Sequence, residues 1–403
     1  MGAKTNIDGA ESYVLQEAIG AYADEAYTNE KSLVGTGLVG SNPEIDRSTE
    51  TYKGQLRWFT PITDVTNTAS LTDPTAGTTS DYGSDYLTYI KTVRTYGAKN
   101  INLKKVVTQV DGLAKIGRDL AQVQNKSVHN SLLAVLKGVA ISEMLNGAAS
   151  GSGQAGLGGQ TFSNDPTDKR YGFYVDLGAS SPIIAATAAQ QGAARAEAFL
   201  QAFGKAWKDY EPDYAYLVTS PEVMASLRSA NLIDADRITE GNINFESIFN
   251  GKLRLIQTRA NQGFTAAEMT QVNKGLGVDI VGTKTSFIVL PGSLAFEELD
   301  IELPTEVTRD GSSYQGGGSS VVWYRWGQII APKGYDWVGY DEDFPKDIDY
   351  TRVFSGTVLP AATRPAASTL ATIGSADNAG VYGTWKRKTS SALTLGILPI
   401  FHS

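Results

Sequence analysis

The sequence predicts an α+β fold, and three observations lead to this prediction. Residues 111–147 carry apolar side chains mostly at three- and four-residue spacing, which is typical of one long amphipathic helix. Helix-like and strand-like runs alternate over 185–290, which is typical of a compact α/β unit. Two runs at 296–310 and 319–332 then predict long strands, and the second is rich in β-branched and aromatic residues.

Bulk composition narrows the class of protein. At about 100–200 residues per domain, the 403 residues predict two or three folded units, and 41% hydrophobic residues are enough for a sizeable core. The net charge of −8 is spread along the chain without a Lys/Arg-rich run, which argues against sequence-specific DNA binding. The absence of cysteine excludes disulfides, thiolate zinc sites and cysteine nucleophiles, and it fits an intracellular product.

The sequence carries no sign of membrane attachment. No stretch approaches the roughly 20 apolar residues of a membrane span, and the first residues lack the apolar core of a signal peptide. Gly2 begins a myristoylation pattern, but Asn6 stands where Ser or Thr is expected. We therefore expect a soluble, unlipidated protein with no membrane partner.

Two segments predict amphipathic helices. Residues 10–27 have an apolar stripe, and the sequence leaves open whether this helix packs on its own domain or is an arm on a neighbouring subunit. The helix over 111–147 has Asp111 as a plausible N-cap and Gly147 at its exit. It would reach roughly 50 Å at 1.5 Å per residue, which is longer than a small domain needs and indicates a strut.

The segment 51–108 predicts a long β-hairpin. A strand-like run begins at Thr51, a polar stretch follows, and a second run with period-two spacing covers 87–95. A lone two-stranded hairpin is only marginally stable in water. A hairpin of this length is therefore expected to lie on something, and a neighbouring subunit is a natural candidate.

The second half of the chain predicts more compact structure. A flexible Gly/Ser/Gln-rich segment at 147–163 comes first. The α/β stretch then predicts a helix beginning at Ser220 as N-cap with Pro221 at the first helical position, and its other elements are a helix at 187–209 and strands at 214–220, 252–259 and 286–292. The tail, 346–403, mixes Pro/Ala/Thr-rich loop with one final apolar run, LTLGILPIF.

Motifs that would carry catalysis are weak. Gly35–Gly40 matches the dinucleotide pattern GxGxxG, but Pro43 follows where a helix is needed. Residues 277–285 approach a phosphate-loop pattern with the Lys displaced and a strand following. Two histidines, His129 and His402, make a zinc site or a Ser–His–Asp triad improbable. The acidic run 336–343 lacks ligand spacing and predicts a solvated loop, so no catalytic, metal or cofactor site is predicted.

Several short motifs occur in an order that resembles one known family. The run from Ala134 to Val139 resembles the end of that family's long helix, and Trp385 lies in a similar C-terminal ending. Pro332 and Trp337 match a motif at the end of one of the family's strands. One branch of the family often has His before this proline, where this chain has Ala331. A strand of acidic-Arg-Asp type is matched by Glu306, Arg309 and Asp310.

The family is the tailed-bacteriophage major capsid proteins of the Hong Kong 97 fold, which the chain resembles over nearly its whole length. The resemblance implies an amphipathic arm, a long hairpin, a strut helix, an α/β domain and long strands, in that order. The implied boundaries are an N-arm at 1–50, an E-loop at 51–108, a P-domain at 109–184 and 291–345 including the spine helix 111–147, an A-domain at 185–290 and a C-terminal tail at 346–403.

The resemblance implies a structural shell protein and not an enzyme. It would assemble with itself into pentamers and hexamers of an icosahedral head that encloses double-stranded DNA, in the host cytoplasm, and end in the virion. No long charged helical region precedes residue 51, so a separate scaffolding protein or none is expected, with a portal and decoration protein as further partners. An encapsulin-like compartment and a soluble α/β enzyme are the alternatives.

Six residues are candidates for contacts between subunits. The hairpin is expected to lie over a neighbour's strut helix and long strands, where arginine and aromatic side chains would dominate the binding energy. The alternative is that the hairpin residues pack within their own hairpin. The candidates are Arg57, Trp58, Tyr89, Glu306, Arg309 and Asp310.

Overall fold

A computed structural model describes slightly more than half of the chain. The described residues are 33–59, 84–101, 112–148, 173–176, 199–200, 202–204, 206–207, 212–229, 232–234, 238–240, 243–258, 284–310, 319–339, 346–351, 353–355, 381–387 and 395–402. The predicted helix at 10–27, most of the Gly/Ser-rich segment at 147–163 and most of the predicted helix at 187–209 lie outside them.

The described residues form helices and strands, as the α+β prediction requires. The α-helices are α1 (Gly112–Ala148) and α2 (Pro221–Ser229), and 3-10 helices cover Leu33–Thr36 and Asp347–Thr351. The strands are β1 (Val39–Gly40), β2 (Lys53–Phe59), β3 (Ser84–Ile101), β4 (Val175–Asp176), β5 (Ala215–Thr219), β6 (Ile238–Glu240), β7 (Ile243–Ile248), β8 (Leu253–Gln257), β9 (Lys284–Val289), β10 (Leu294–Glu298), β11 (Thr305–Asp310), β12 (Ser319–Pro332), β13 (Tyr335–Trp337), β14 (Val353–Ser355), β15 (Val381–Gly383), β16 (Trp385–Arg387) and β17 (Ile397–His402).

The first sheet is built around the long strand β12. On one edge β12 pairs antiparallel with β10 and β11, and on the other edge it pairs antiparallel with β3 from Lys91 to Ile101. The first half of β3 pairs with β2. β3 therefore belongs both to the β2–β3 hairpin and to the body of the sheet, so the predicted hairpin lies partly on a strand of its own chain.

The prediction of one strand over 296–310 is wrong in one respect. The segment forms two strands, β10 and β11, that follow one another along the same edge of β12. Between them the chain leaves the ladder, and Leu299 packs against the backbone of Gly327, where a Cβ would lie 2.7 Å from the Leu299 side chain. The glycine makes room for this side chain where β10 ends, and the Leu299 N–H donates to the Gly327 carbonyl at 3.1 Å.

The second sheet contains seven strands in the order β4-β17-β9-β5-β8-β7-β6. β5 is buried along its whole length, and α2 follows it directly. The final apolar run of the sequence forms β17, which pairs antiparallel with β9 and is buried throughout. The end of the chain thus lies inside this sheet.

Helix α1 joins the cores of the two sheets. Its 37 residues extend about 55 Å at 1.5 Å per residue, which confirms the predicted long helix. Leu120, near its start, packs on β11 and β12 in one apolar cluster, whereas Val128 to Ile141 belong to the main core with the second sheet.

Three buried aromatic rings cover the second half of α1. Trp337 and Trp385 meet edge to face with ring centroids 5.0 Å apart, and Tyr350 stacks on Trp385 at 6.3 Å. Gly138 of α1 lies beneath them, where a Cβ would overlap the carbonyl oxygen of Tyr350. The glycine allows the helix and the 3-10 segment to approach at backbone distance.

Candidate functional site

One face of the sheet formed by β3, β11 and β12 packs on α1. Val322, Tyr324 and Trp326 of β12 are buried in a cluster with Leu120, and the Tyr324 hydroxyl donates to Oε1 of Gln124 at 2.7 Å. Successive side chains of a strand point to opposite faces. The residues of β12 between these buried ones therefore point away from α1.

The face away from α1 carries a large exposed aromatic ring. Trp323 is 40% exposed and lies over Gly97 of β3, where a Cβ would stand 2.7 Å from the Trp323 ring. Its partner on β11 is Glu306, and Leu303, just before β11, is 63% exposed. An exposed tryptophan on a strand, with an exposed leucine just before the neighbouring strand, is typical of a binding surface.

Charged groups flank this tryptophan. Nη2 of Arg325 lies 2.6 Å from Oε2 of Glu306, and Nη1 donates to the Leu303 carbonyl at 3.3 Å. The Arg325 and Glu306 side chains are 33% and 47% exposed, so this ion pair contributes little to stability. It instead orients two charges next to Trp323, and we call Leu303, Glu306, Trp323 and Arg325 the Trp323 face.

The β2–β3 hairpin presents a second exposed pair. Arg57 of β2 is exposed and is the cross-strand partner of Tyr86 of β3, which is 51% exposed. Of the predicted contact residues in the hairpin, Arg57 therefore lies on the surface of the chain. The side chain of Trp58 lies outside the described residues, and its backbone pairs with Asp85.

Tyr89, a further predicted contact residue of the hairpin, is buried within its own chain. Its side chain is 1% exposed, and its hydroxyl oxygen accepts a hydrogen bond from the backbone N–H of Asp46 at 2.9 Å. Burial raises the pKa of the Tyr89 phenol above its ordinary value. Tyr89 is thus packed within its own chain and is not a surface anchor of the single chain, because it points inward against the segment before β2.

The structure describes the three predicted contact residues of β11 to different extents. Glu306 is half-exposed and paired with Arg325, a partner that the sequence did not reveal. Arg309 and Asp310 pair through their backbones with Ser320 and Ser319 of β12, and their side chains lie outside the described residues.

Sequence reasoning missed three members of these surfaces: Leu303, Trp323 and Tyr86. A signal was present in β12, because the alternation of Trp323 and Arg325 with Tyr324 and Trp326 places the two sets on opposite faces. Both sets contain an aromatic residue, so the alternation did not show which face is exposed.

A cleft of about 290 Å³ separates the base of the hairpin from the body of the sheet. Its walls are apolar, with Leu56 and Leu87 from the hairpin and Pro332 from the end of β12. The exposed cations Arg57 and Lys333 stand on its two sides. The cleft has no convergent set of catalytic side chains among the residues that line it.

A buried Ser–His contact lies elsewhere, in the second sheet. Oγ of Ser286 lies 2.8 Å from Nε2 of His402 and 2.8 Å from Oγ1 of Thr219. All three side chains are 0% exposed, so no substrate reaches them, and the contact stabilises the packing of β17 on β9 and β5. His402 is therefore a core residue, although it is next to the last residue of the sequence.

Within the described ranges, no group of three or more His, Asp, Glu or Cys residues is placed to hold a metal ion. No described helix is long and apolar enough to cross a membrane.

Comparison with known proteins gave matches among solved structures. The sequence matches no protein-family model and no curated protein. The chain is similar to the capsid of the cyanophage P-SCSP1u (12% identity, 75% of this chain and 86% of that chain, TM-score 0.41). It is also similar to the capsid of Ralstonia phage GP4 (12% identity, 76% and 88%, TM-score 0.43). A third match is the head structure of Helicobacter pylori bacteriophage KHP40 (8% identity, 93% and 93%, TM-score 0.44).

All three are structures of phage capsids or heads.

Proposed function

We propose that this chain is the major capsid protein of a tailed bacteriophage. It would assemble with itself into pentamers and hexamers of an icosahedral head that encloses double-stranded DNA without sequence-specific binding, and it would carry no enzymatic activity. Assembly would take place in the host cytoplasm, and the protein would end in the virion. A separate scaffolding protein, a portal and a decoration protein are further proposed partners.

The observation that carries the proposal is the arrangement of α1 between two sheets with the hairpin beside it. α1 spans about 55 Å and joins the cores of both sheets, which is more reach than a single small core needs. This order of parts supports the assignment of the β2–β3 hairpin as the E-loop, α1 as the spine helix, β10–β12 as P-domain strands and β5–β9 of the second sheet as the core of the A-domain. The 1–50 arm and the 346–403 tail complete the proposed division.

The exposed surfaces support contacts between copies. The Trp323 face lies on the body of the first sheet, and the Arg57–Tyr86 pair lies on the hairpin. We propose that the hairpin of one subunit covers the Trp323 face of its neighbour, with Arg57 as an anchor. Such a contact is heterologous, and heterologous contacts close into rings when the rotation between copies is suitable. The side chains of Trp58, Arg309 and Asp310 are further proposed members of this interface.

Electron microscopy of the purified chain tests the proposal. The chain is expressed alone and with its neighbouring genes, and negative-stain images are searched for closed shells or for pentamer and hexamer rings. Shells containing nuclease-protected DNA support a capsid, whereas shells loaded with a cargo enzyme would establish an encapsulin-like compartment instead. A monodisperse monomer or small dimer in every co-expression would contradict a shell function.

Two substitutions at one position test the proposed interface. Arg57→Glu reverses the charge of the exposed anchor, and Arg57→Lys keeps the charge as a matched control. Because Arg57 is exposed, neither change is expected to alter the unfolding midpoint of the single chain. We expect Arg57→Glu to reduce the yield of shells and Arg57→Lys to retain most of it. Equal shell yields for both variants would exclude Arg57 as an anchor.

A further inference from the structure

Residues 41–48 form a strap across one face of the first sheet. Ile45, at its centre, is 4% exposed and shares an apolar cluster with Ile329 of β12 and Leu299. On the β10 side, the backbone N–H of Asp300 donates to the Arg47 carbonyl at 3.1 Å. The strap is therefore packed against the sheet by apolar contact and by a backbone hydrogen bond.

Two buried charges of opposite sign lie under the strap. Glu297 of β10 and Lys91 of β3 are both partners of Ile329 in the ladders on either side of β12, so the three residues form one row. Glu297 is 6% exposed and Lys91 is 0% exposed. Two strand spacings, roughly 9.5 Å, separate the Glu297 and Lys91 backbones. A buried charge without a close partner is strongly destabilising, so each needs its own counter-charge.

The strap supplies the partners of Lys91. Nζ of Lys91 donates to Oδ2 of Asp46 at 2.7 Å and to the Ser48 carbonyl at 2.6 Å. Asp46 also ties the strap to the hairpin through its backbone N–H, which donates to the Tyr89 hydroxyl at 2.9 Å. Lys91 and Tyr89 lie where β3 passes from pairing with β2 to pairing with β12.

The strap also supplies partners of Glu297. Oε1 of Glu297 accepts hydrogen bonds from the Ser41 hydroxyl and from the backbone N–H of Asn42, the latter at 2.8 Å. Oε2 of Glu297 pairs with Nη2 of Arg47 at 2.5 Å. Adjacent residues of the strap, Asp46 and Arg47, thus neutralise charges on two different strands.

We propose that residues 41–48 are a clasp that fixes the base of the β2–β3 hairpin to the body of the first sheet, and that the two ends of the clasp open together. Ile45 shares an apolar cluster with Ile329, the residue between Glu297 and Lys91 in the row, so lifting Ile45 admits water to both ends at once. Weakening either ion pair therefore weakens the other. The clasp is a property of the single chain and does not depend on the proposed shell function.

Hydrogen exchange measured by mass spectrometry tests whether the ends are coupled. The variant Asp46→Asn removes one charge from a side chain that is 55% exposed, so the core loses no atom. We expect exchange to accelerate by at least about tenfold at Asp46 and also at Asn42 and Asp300, at the other end of the clasp. Acceleration confined to residues 46–48 would overturn the proposal, because the two ends would then open independently.

Arg325→Gln is the matched control for exchange. It breaks an exposed ion pair on the same sheet that does not touch the strap. We expect exchange over 41–48 to stay at the wild-type rate in this variant. Acceleration there would show that any lost ion pair loosens the strap, and it would overturn the specific role of Asp46 and Arg47.

A distance measurement tests whether the clasp fixes the hairpin. The chain has no cysteine, so Arg57→Cys and Lys333→Cys give two spin labels at exposed positions on either side of the cleft. Labelled chain is diluted with excess unlabelled chain so that only distances within one chain are recorded. We expect a narrow distribution that broadens when Asp46→Asn and Arg47→Gln are added. The measurement is made on chains that are not assembled into shells, where no neighbouring subunit can hold the hairpin. An unchanged distribution there would overturn the proposal.

Discussion

Gly138→Ala gives the most direct test of how α1 is held to the rest of the chain. In an ordinary helix interior, alanine is more favourable than glycine by about 1 kcal/mol. At Gly138 the added Cβ would overlap the carbonyl oxygen of Tyr350 and stand 2.9 Å from Nε1 of Trp385. The carbonyl belongs to backbone and cannot rotate away, so the helix or the 3-10 segment has to move.

The expected cost follows from these contacts. Overpacking of a well-packed core costs about 1–3 kcal/mol, and the obstruction by backbone places Gly138→Ala at the upper end. After the helix-propensity gain of about 1 kcal/mol, we expect the free energy of unfolding to fall by about 2 kcal/mol. Urea unfolding followed by tryptophan fluorescence reports this change, because Trp337 and Trp385 are buried beside the site.

Gly204→Ala is the matched control. Gly204 is in a helical turn, and no described residue beyond that turn has an atom within 4 Å of where its Cβ would stand. Here only helix propensity acts, and we expect the protein to be unchanged or stabilised by up to about 1 kcal/mol. If Gly138→Ala unfolded at the same urea concentration as Gly204→Ala, the close approach of α1 to Tyr350 would be refuted.

Two further predictions concern buried and half-buried ion pairs. Glu143 is 0% exposed, pairs with Arg387 at 3.1 Å and accepts a hydrogen bond from the Phe173 N–H at 2.7 Å. Because Arg387→Met leaves this buried carboxylate without its counter-charge, the free energy of unfolding should fall by about 3–5 kcal/mol. Equal stability of variant and wild type in urea would contradict this prediction. The hydrogen bond from Lys91, with those from Ser48, lowers the pKa of Asp46 from 3.8 to about 2. The stability that Asp46 contributes is therefore fully present above pH 3.8 and is lost as the pH falls towards about 2. Thermal midpoints of wild type and Asp46→Asn should converge over this range, and a constant difference between them would exclude the linkage.

Local periodicity predicted the elements whose stability is mainly local. The helix expected over 111–147 is observed as α1, Gly112–Ala148. It was predictable because the apolar spacing of three and four residues lies within the helical segment and needs no distant part of the chain. The short helix beginning after Ser220 was likewise confirmed as Pro221–Ser229. The final apolar run of the sequence indicated the last strand, β17. The sequence did not show that this strand lies inside the second sheet.

Tertiary contacts decided the candidate surfaces. Tyr89 and Tyr86 lie three residues apart on one strand and are both tyrosines, yet the first is 1% exposed and the second 51% exposed. The two side chains point to opposite faces of the strand, and the segment at 41–48, more than 40 positions earlier in the chain, covers the face that carries Tyr89. The alternation along the strand shows that the two tyrosines lie on opposite faces, but no window of sequence around either one shows which face is covered.

The amino-acid sequence by itself determined α1, α2, most of the strand-forming runs of the described residues and the absence of cysteine chemistry, because propensity and periodicity act between near neighbours. Only the tertiary structure decided which face of β12 is exposed, because Trp323 and Trp326 differ chiefly in which of them faces α1. It also decided that Glu297 and Lys91 are buried, since their counter-charges lie side by side on a strap remote from both in sequence. Burial and charge pairing depend on contacts between segments that are distant in sequence, and local sequence patterns therefore do not reveal them.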